Sequence, residues 1–364
     1  MTNPTWHITS DGWMTLVGID RLPRVTVVVT AFGTKTFLPE ALNSIASQHL
    51  KPSDFEVLLM TDLPEYSTAS KVVAAVPRLK SRIRVICPAP RPLGKMHVTA
   101  VEVCSGDIVT FLNDDDLWEP CRLNFIVARF NADPQVGYLH NGQILVDREG
   151  RSHRSGLSYA LLRHPSILFK HAEREISKLS PSLSHRVLIQ HEADFNSSSI
   201  AIRKSVVRDY TDILEKLTAM DDSFYLYIAL ASGAKLILTQ ERLTRYRLHD
   251  SNTSYREGEP AGRAVSHTRR FAEMAKLLRD AMTARGEHAV ACLIERDGLY
   301  LSLVNAIQTG SVSRRTIGRE VIELFKQPGD LISVKVLVVL MAAILSIPTP
   351  RVIAPIYLRS QELQ

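Results

Sequence analysis

Short apolar runs alternate with segments of helical periodicity through the first third of the chain. The runs are rich in Val and Ile and end in polar or turn residues, which is typical of buried strands. The predicted strands are 24–32, 55–60, 83–86 and 108–112, and the predicted helices are 38–45, 71–76 and 96–104. This alternation predicts an α/β fold in which helices flank a mostly parallel central sheet.

The second half of the chain continues the pattern less regularly. A strand is predicted over 197–203, a helix from Asp221 through Ala231 and a strand over 235–238. The segment 257–262 contains Gly and Pro and is the best linker candidate. We therefore expect an α/β domain over 1–255, with a basic insertion at 141–192, followed by a helical region over 256–364.

Three consecutive carboxylates, Asp114, Asp115 and Asp116, follow the predicted strand 108–112. Like charges this close repel one another unless water or a cation neutralises them. Carboxylate oxygens suit a hard divalent ion, Mg²⁺ or Mn²⁺, which fills its other positions with water and phosphate oxygens. A nucleoside diphosphate is the natural ligand. The alternative is purely structural, because aspartates also cap helix N-termini.

Several polar residues fall where predicted parallel strands end. Thr30, Asp62 and the three aspartates are among them. Open parallel sheets bind ligands at the carboxyl ends of their strands. The residues alone therefore predict a nucleotide-binding α/β protein.

Residues 24–254 resemble the inverting glycosyltransferases of family 2, which have the GT-A fold. The similar pieces are the strand with Thr30-Ala31-Phe32 and the helix after it, Gly94-Lys95 with Ser105-Gly106-Asp107, Asn113 to Asp116 with Pro120, Asp221-Asp222, and Arg247-Leu248-His249. Two positions depart from the family pattern. Asn113 and Asp221 stand where many members have Asp and Glu.

The resemblance implies a role for each matching residue. The nucleoside would be bound by Thr30, Phe32 and Asp62, the rest of the donor by Lys95, Asp114, Arg247 and His249, and the metal by Asp115 first, then Asp116 and His249. Asp222 would be the catalytic base with Asp221 beside it. The structural alternative is that these two aspartates merely cap their helix.

The implied protein is a metal-dependent, hexosyltransferase-type enzyme that uses Mn²⁺ or Mg²⁺. It would move a sugar from a nucleotide-diphosphate sugar to a hydroxyl acceptor, a glycan or lipid-linked glycan of the cell envelope. The domain 1–255 would be catalytic, with the insertion 141–192 on the acceptor side. Two alternatives stay open: a nucleotidyltransferase, although no early Gly-rich loop cradles a triphosphate, and an inactive sugar-nucleotide-binding scaffold.

Composition sets the outer limits. The formal charge of +6 is spread along the 364 residues, which argues against nucleic acid as a partner. Four cysteines without close spacing indicate thiols in a reducing compartment, and the N-terminus lacks a signal-peptide pattern, so a cytoplasmic protein is expected. The apolar run 331–347 lies between basic residues, and its pattern fits either core packing or a peripheral helix at the inner face of the plasma membrane.

Overall fold

The computed structural model describes residues 5–8, 14–17, 25–31, 36–61, 74, 76–79, 82–86, 92–152, 172–177, 193–249 and 261–309. Two predicted site residues, Phe32 and Asp62, lie outside the described residues. The linker candidate 257–262 lies there for the most part, as does the predicted helix 71–76, and the apolar run 331–347 lies there entirely.

The chain divides into two compact units. The first comprises residues 1–152, 172–177 and 194–247, and the second comprises 153–171, 178–193 and 248–364. All the described strands belong to the first unit. The boundary at residue 255 between a catalytic domain and a helical region stays a prediction.

Eleven strands are seen among the described residues. They are β1 Thr5–Ile8, β2 Met14–Val17, β3 Val25–Ala31, β4 Phe55–Thr61, β5 Ile83–Ile86, β6 Ile108–Asn113, β7 Leu117–Trp118, β8 Val136–Val146, β9 Arg174–Ile176, β10 Ile200–Arg203 and β11 Lys235–Arg247. The four strands predicted in the first third of the chain are all present, as β3, β4, β5 and β6. They form because their runs of Val, Ile and Leu are buried on both faces of the sheet.

Eight α-helices are described. They are α1 Leu38–Ala46, α2 Leu93–Val103, α3 Arg122–Ala132, α4 Lys204–Arg208, α5 Thr211–Leu214, α6 Asp221–Ala231, α7 Ala261–Ala284 and α8 His288–Thr309. Helix α1 buries Leu38, Ala41, Leu42 and Ile45, which recur at helical spacing. Helices α7 and α8 belong to the second unit, and no described helix has the length and apolar composition needed to cross a bilayer.

Nine strands form one sheet in the order β5-β4-β3-β6-β10-β8-β11-β7, with β9 paired to β11. Strands β5, β4, β3 and β6 run parallel, β10 is antiparallel to both β6 and β8, and β11 runs parallel to β8. Strands β1 and β2 form a separate antiparallel pair. The α/β fold class with helices flanking a central sheet is confirmed.

Three local predictions differ from the structure. Residues 141–146, expected at the start of the insertion, continue β8 within the sheet. The segment Ser197–Ser199 forms a 3-10 turn, and the strand begins only at Ile200. Helix α2 begins at Leu93 rather than at Met96, since Pro92 precedes it and Gly94 packs closely. A Cβ at Gly94 would lie 1.7 Å from the carbonyl oxygen of Leu214, so only glycine fits there.

Candidate active site

The acidic residues lie at the carboxyl edge of the parallel half of the sheet. Strand register pairs Thr30 of β3 with Asn113 of β6, and the Thr30 hydroxyl donates a 3.3 Å hydrogen bond to Asn113 Oδ1. The chain then turns, and the backbone N–H of Asp114 donates to the carbonyl oxygen of Thr30 at 3.2 Å. We call residues Asn113 to Asp116 the acidic turn. Asp114 and Asp115 are half-buried in it, whereas Asp116 is fully buried.

Both carboxylate oxygens of Asp116 are bound by protein donors. Oδ2 accepts a 2.8 Å hydrogen bond from Asn196 Nδ2, and Oδ1 accepts a 3.0 Å bond from the backbone N–H of Arg247. Burial, and then the charge of Asp115, raises the pKa of Asp116 to about 7. Asp116 therefore fixes the turn to two distant segments of the chain.

The hydrogen bonds of Asn113 give a reason for its departure from the family pattern. Its Nδ2 donates to Asn196 Oδ1 at 3.2 Å, and its Oδ1 accepts from the hydroxyls of Thr30 and Ser197 at 3.3 and 3.4 Å. An aspartate here would lack the N–H donor and would face Asn196 Oδ1 with a second acceptor. The amide thus suits a network that joins three chain segments.

Helix α6 begins with the predicted base. Asp222 is half-buried, and its Oδ2 accepts from the backbone N–H of Asn196 at 3.3 Å, while Oδ1 accepts from its neighbour's N–H, that of Ser223, at 2.9 Å. Burial raises the pKa of Asp222 well above that of an ordinary aspartate, and the charges of Asp221 and Asp194 raise it further. The Ser223 hydroxyl holds Asp194 at 2.9 Å. A carboxylate with an elevated pKa is suited to accept a proton.

The backbone is unusual where the site's segments begin. Asn196 has φ of 64°, and Met220, directly before Asp221, also has φ of 64°. Asparagine tolerates this left-handed region, whereas methionine rarely adopts it. Such backbone conformations cost free energy and are frequent at functional sites.

A buried histidine that the sequence did not single out lies beside Asp221. His97 of α2 places Nδ1 2.7 Å from the Tyr225 hydroxyl and 3.9 Å from Asp221 Oδ2, and its ring stacks on Phe111. Burial lowers the pKa of His97, so its ring is neutral near pH 7. His97 therefore contributes packing and a hydrogen bond, rather than a positive charge, to the start of α6.

Arg247 is buried at the end of β11 and is engaged by protein groups. Its Nε donates to the Asp115 carbonyl at 2.8 Å, one terminal nitrogen donates to Glu40 at 2.7 Å and the other donates to the Arg148 carbonyl. Its guanidinium also lies 4.4 Å from the centre of the Phe37 ring. Arg247 thus fastens the acidic turn to α1. Contact between Arg247 and a diphosphate stays a prediction.

The remaining predicted residues are placed as follows. Lys95 is exposed in the first turn of α2. His249 is half-buried two residues after Arg247 and belongs to the second unit. The structure thus brings together Thr30, the acidic turn, Arg247 and Asp222 through hydrogen bonds that share Asn113, Asn196 or Asp116.

Asn196 is the residue that sequence reasoning missed. A signal was present, since Asn directly before Ser197-Ser198-Ser199 is typical of a side-chain-capped turn, and Asn196 Oδ1 does accept from the Ser198 N–H at 3.0 Å. That pattern predicts a cap. It does not predict that the same side chain reaches Asp116.

The donor chemistry of the acidic turn fits a hard divalent ion. Within the described segments, no group of three or more His, Cys, Asp or Glu side chains is arranged to hold a metal ion. Mg²⁺ and Mn²⁺ need no such cage, because they bind through one or two carboxylates and take phosphate oxygens and water as other ligands. Asp115 and the adjacent Asp114, both half-buried, supply carboxylates of this kind.

A parallel half-sheet that carries carboxylates at its carboxyl edge, with a second acidic pair at the start of a later helix, defines a GT-A type α/β protein. Residues 23–273 match the sequence model described as Glycosyltransferase like family 2, which covers more than half of the chain. The chain belongs to this family, and the predicted resemblance is confirmed.

Curated relatives are distant. An uncharacterized glycosyltransferase of Nostoc sp. is 23% identical over 239 residues, which cover 63% of this chain and 66% of the relative. A Campylobacter jejuni GalNAc(5)-diNAcBac-PP-undecaprenol β-1,3-glucosyltransferase is 29% identical over 133 residues, 35% of this chain and 40% of the relative. The matches thus span less than two thirds of these relatives' own lengths.

The fold is also seen in a solved structure. The crystal structure of Staphylococcus aureus TarS, residues 1–349, aligns with a TM-score of 0.52 and 14% sequence identity and covers 93% of this chain and 88% of that chain. At this identity the likeness shows the GT-A fold alone.

Proposed function

We propose that this protein is an inverting glycosyltransferase that transfers a sugar from a nucleotide-diphosphate sugar to a hydroxyl group of a glycan or lipid-linked acceptor. The observation that carries the proposal is the hydrogen-bonded link, through Asn196, between the acidic turn and the carboxylate of Asp222. It joins the turn that would bind the nucleotide diphosphate to a carboxylate whose pKa is raised. Family membership supports the same chemistry.

In the proposed reaction the residues of the turn bind the donor and Asp222 acts on the acceptor. Asp115 would hold Mn²⁺ or Mg²⁺ with Asp114 beside it, since both oxygens of Asp116 accept hydrogen bonds from protein donors. When bound, the ion would neutralise charge on the departing diphosphate. Thr30 lies at the same strand edge for contact with the nucleoside, with Phe32 and Asp62 predicted beside it. Hydrogen bonds from Arg247 to the Asp116 carboxylate and to the Asp115 carbonyl hold the turn in place.

Asp222 would take the proton of the acceptor hydroxyl as its oxygen bonds to the anomeric carbon. The bond from that carbon to the diphosphate oxygen breaks in the same displacement, so the anomeric configuration inverts. Burial, and then the charges of Asp221 and Asp194, raise the pKa of Asp222 and so favour this proton transfer. Relatives whose names specify glucosyl and N-acetylglucosaminyl transfer support a hexose as the transferred group and cell-envelope glycans as acceptors.

A direct assay tests the proposal. The protein is incubated with Mn²⁺, a panel of UDP- and GDP-hexoses and simple saccharide acceptors, and release of nucleoside diphosphate is followed. NMR of the product gives the anomeric configuration. Transfer with inversion supports the proposal, and retention contradicts the single displacement. Binding of sugar nucleotides without transfer or hydrolysis would favour the inactive scaffold.

The pH dependence of turnover follows from Asp222. Its carboxylate form is the active base, and its pKa is raised by burial, Asp221 and Asp194, while Tyr138 of β8 also faces it. The ionised fraction grows as pH rises through that raised pKa, so kcat should climb at a higher pH than for an ordinary aspartate. Asp194→Asn removes one of the charges and should move this acid limb to lower pH. An unmoved limb would contradict the assignment of Asp222.

The tail enters the proposal from sequence alone. The apolar run 331–347, with basic residues on both sides, would contact the membrane that carries a lipid-linked acceptor. Co-sedimentation of the full chain with phosphatidylglycerol vesicles, compared with phosphatidylcholine vesicles, tests this contact. Equal absence from both pellets would contradict it.

A further inference from the structure

Asn196 makes hydrogen bonds in two directions at once. Its side chain donates to Asp116 Oδ2 at 2.8 Å and accepts from Asn113 Nδ2 at 3.2 Å, so it binds both ends of the acidic turn. Its backbone N–H donates to Asp222 Oδ2 at 3.3 Å. One residue, 5% exposed, therefore touches the groups assigned to the donor side and the group assigned as base.

The position demands asparagine for two independent reasons. A φ of 64° favours Gly, Asn or Asp over other residues. The side chain must also both donate, to Asp116, and accept, from the Ser198 N–H and from Asn113. Glycine has no side chain, and ionised aspartate has no donor. Asparagine alone among the three meets both requirements.

The segment that carries Asn196 is itself held firmly. The carbonyl of Phe195 accepts hydrogen bonds from His140 at 2.8 Å and from Gln143 at 3.1 Å, both on β8. On the other side, Asp194 accepts from the Ser223 hydroxyl of α6. A residue anchored to both the sheet and α6 transmits the position of one to the other.

We infer that Asn196 is a positioning residue that sets the separation between the acidic turn and Asp222. This inference rests on the proposed function for the roles of those two groups. Donor binding and proton removal then both depend on this one residue, whose side chain holds the acidic turn and whose backbone N–H holds the base. Residues that hydrogen-bond the side chains around a metal site typically change metal affinity or activity by about 10- to 100-fold when they are removed.

The first test requires no substrate. Asn196→Asp keeps the shape, the left-handed backbone and the capping acceptor, and replaces only the donor to Asp116 with an oxygen. In buffer well above pH 7, two buried carboxylates then face each other without a donor between them, so urea unfolding should occur at a lower urea concentration. The double variant Asn196→Asp with Asp116→Asn exchanges donor and acceptor, and should recover most of the lost midpoint.

Ser199→Ala is the matched control for the same turn. The Ser199 hydroxyl is buried and makes no hydrogen bond among the described residues. Its removal should not lower the unfolding midpoint, because no hydrogen bond among the described residues is lost, and should leave the turnover unchanged. A loss in Asn196→Asp without recovery in the exchanged pair would overturn the link to Asp116.

The second test separates the side chain of Asn196 from its backbone. Asn196→Gly keeps the left-handed backbone and the N–H to Asp222, so KM for the sugar nucleotide should rise about 10- to 100-fold while the acid limb of kcat stays in place. Asn196→Ala disfavours this backbone. The N–H of Asn196, which lowers the pKa of Asp222, is then displaced, whereas the charges of Asp221 and Asp194, which raise it, stay in place. The acid limb should therefore move to higher pH.

The outcomes separate this inference from the proposed function. Wild-type KM in both Asn196→Asp and Asn196→Gly, with turnover in the wild-type chain, would overturn the inference and leave the proposed function intact. A wild-type chain without any transfer would overturn the proposed function, while the unfolding experiments still decide the link. If Asn196→Asp does not fold, folding of the exchanged pair supports the link, and failure of the pair together with wild-type KM in Asn196→Gly overturns it.

Discussion

Asp222→Asn should lower sugar transfer by about two to four orders of magnitude while donor binding is retained, since this is the usual contribution of a positioned general base. The loss corresponds to about 3–5 kcal/mol of transition-state stabilisation. Asp222 accepts a backbone hydrogen bond on each oxygen, from Asn196 and from Ser223, and the single asparagine oxygen can still accept one of them. Transfer rates and calorimetric binding of the donor, measured on the same preparation, check both halves.

The stability of this variant is an internal control. Neutralising Asp222 removes its repulsion by Asp221 and Asp194, which offsets the loss of one backbone hydrogen bond, so the free energy of unfolding should change little. Loss of activity with an unchanged or higher unfolding midpoint therefore points to chemistry rather than to misfolding. Near wild-type transfer would mean that Asp222 only caps α6, and the base would then be sought at Asp221.

Asp115→Ala should abolish the metal-dependent part of nucleotide binding. The affinity for UDP or GDP in the presence of Mn²⁺ should fall to the affinity measured without it, because a carboxylate ligand is lost. The backbone is expected to stay in place, since it is the carbonyl of Asp115 that accepts from Arg247 Nε at 2.8 Å. Removing the charge also relieves repulsion with Asp116. Isothermal titration with and without Mn²⁺ measures the effect.

Asp107→Ala is the matched control for Asp115→Ala. Asp107 is exposed and directly precedes β6, at the opposite end of the strand from the acidic turn. Its substitution changes the net charge equally but should leave Mn²⁺-dependent binding intact. If Asp115→Ala retained the metal-dependent affinity, the ion would have to be assigned elsewhere, and Asp114 would be the next candidate.

The sequence by itself determined the parallel half of the fold and the family. Strands β3, β4, β5 and β6 are dominated by apolar residues, and such runs are typical of the buried strands of a parallel sheet. Helix α6 begins at Asp221, as predicted from the apolar periodicity that follows it. Because these signals are local, each is legible without knowledge of its partner. The acidic turn was found for the same reason.

The long strand β11 shows the limit of predicting strands from local sequence patterns. Only 235–238 was predicted, yet the strand continues to Arg247 through the polar residues Thr239 to Arg242. Pairing with β8 is interrupted by a register shift after Leu238 and resumes at Arg242. The conformation of β11 is fixed by a neighbouring strand rather than by its own alternation.

The tertiary structure alone decided what each polar side chain touches. Asn196 meets a partner 80 positions away in Asp116, and the backbone of Arg247 meets the same carboxylate from 131 positions away. Sequence predicted aspartates near a ligand, but not that Asp116 is buried and bound on both oxygens. Periodicity records which face of an element avoids water. Periodicity carries no information on which distant group donates a hydrogen bond to a buried carboxylate, because only folding brings the two together.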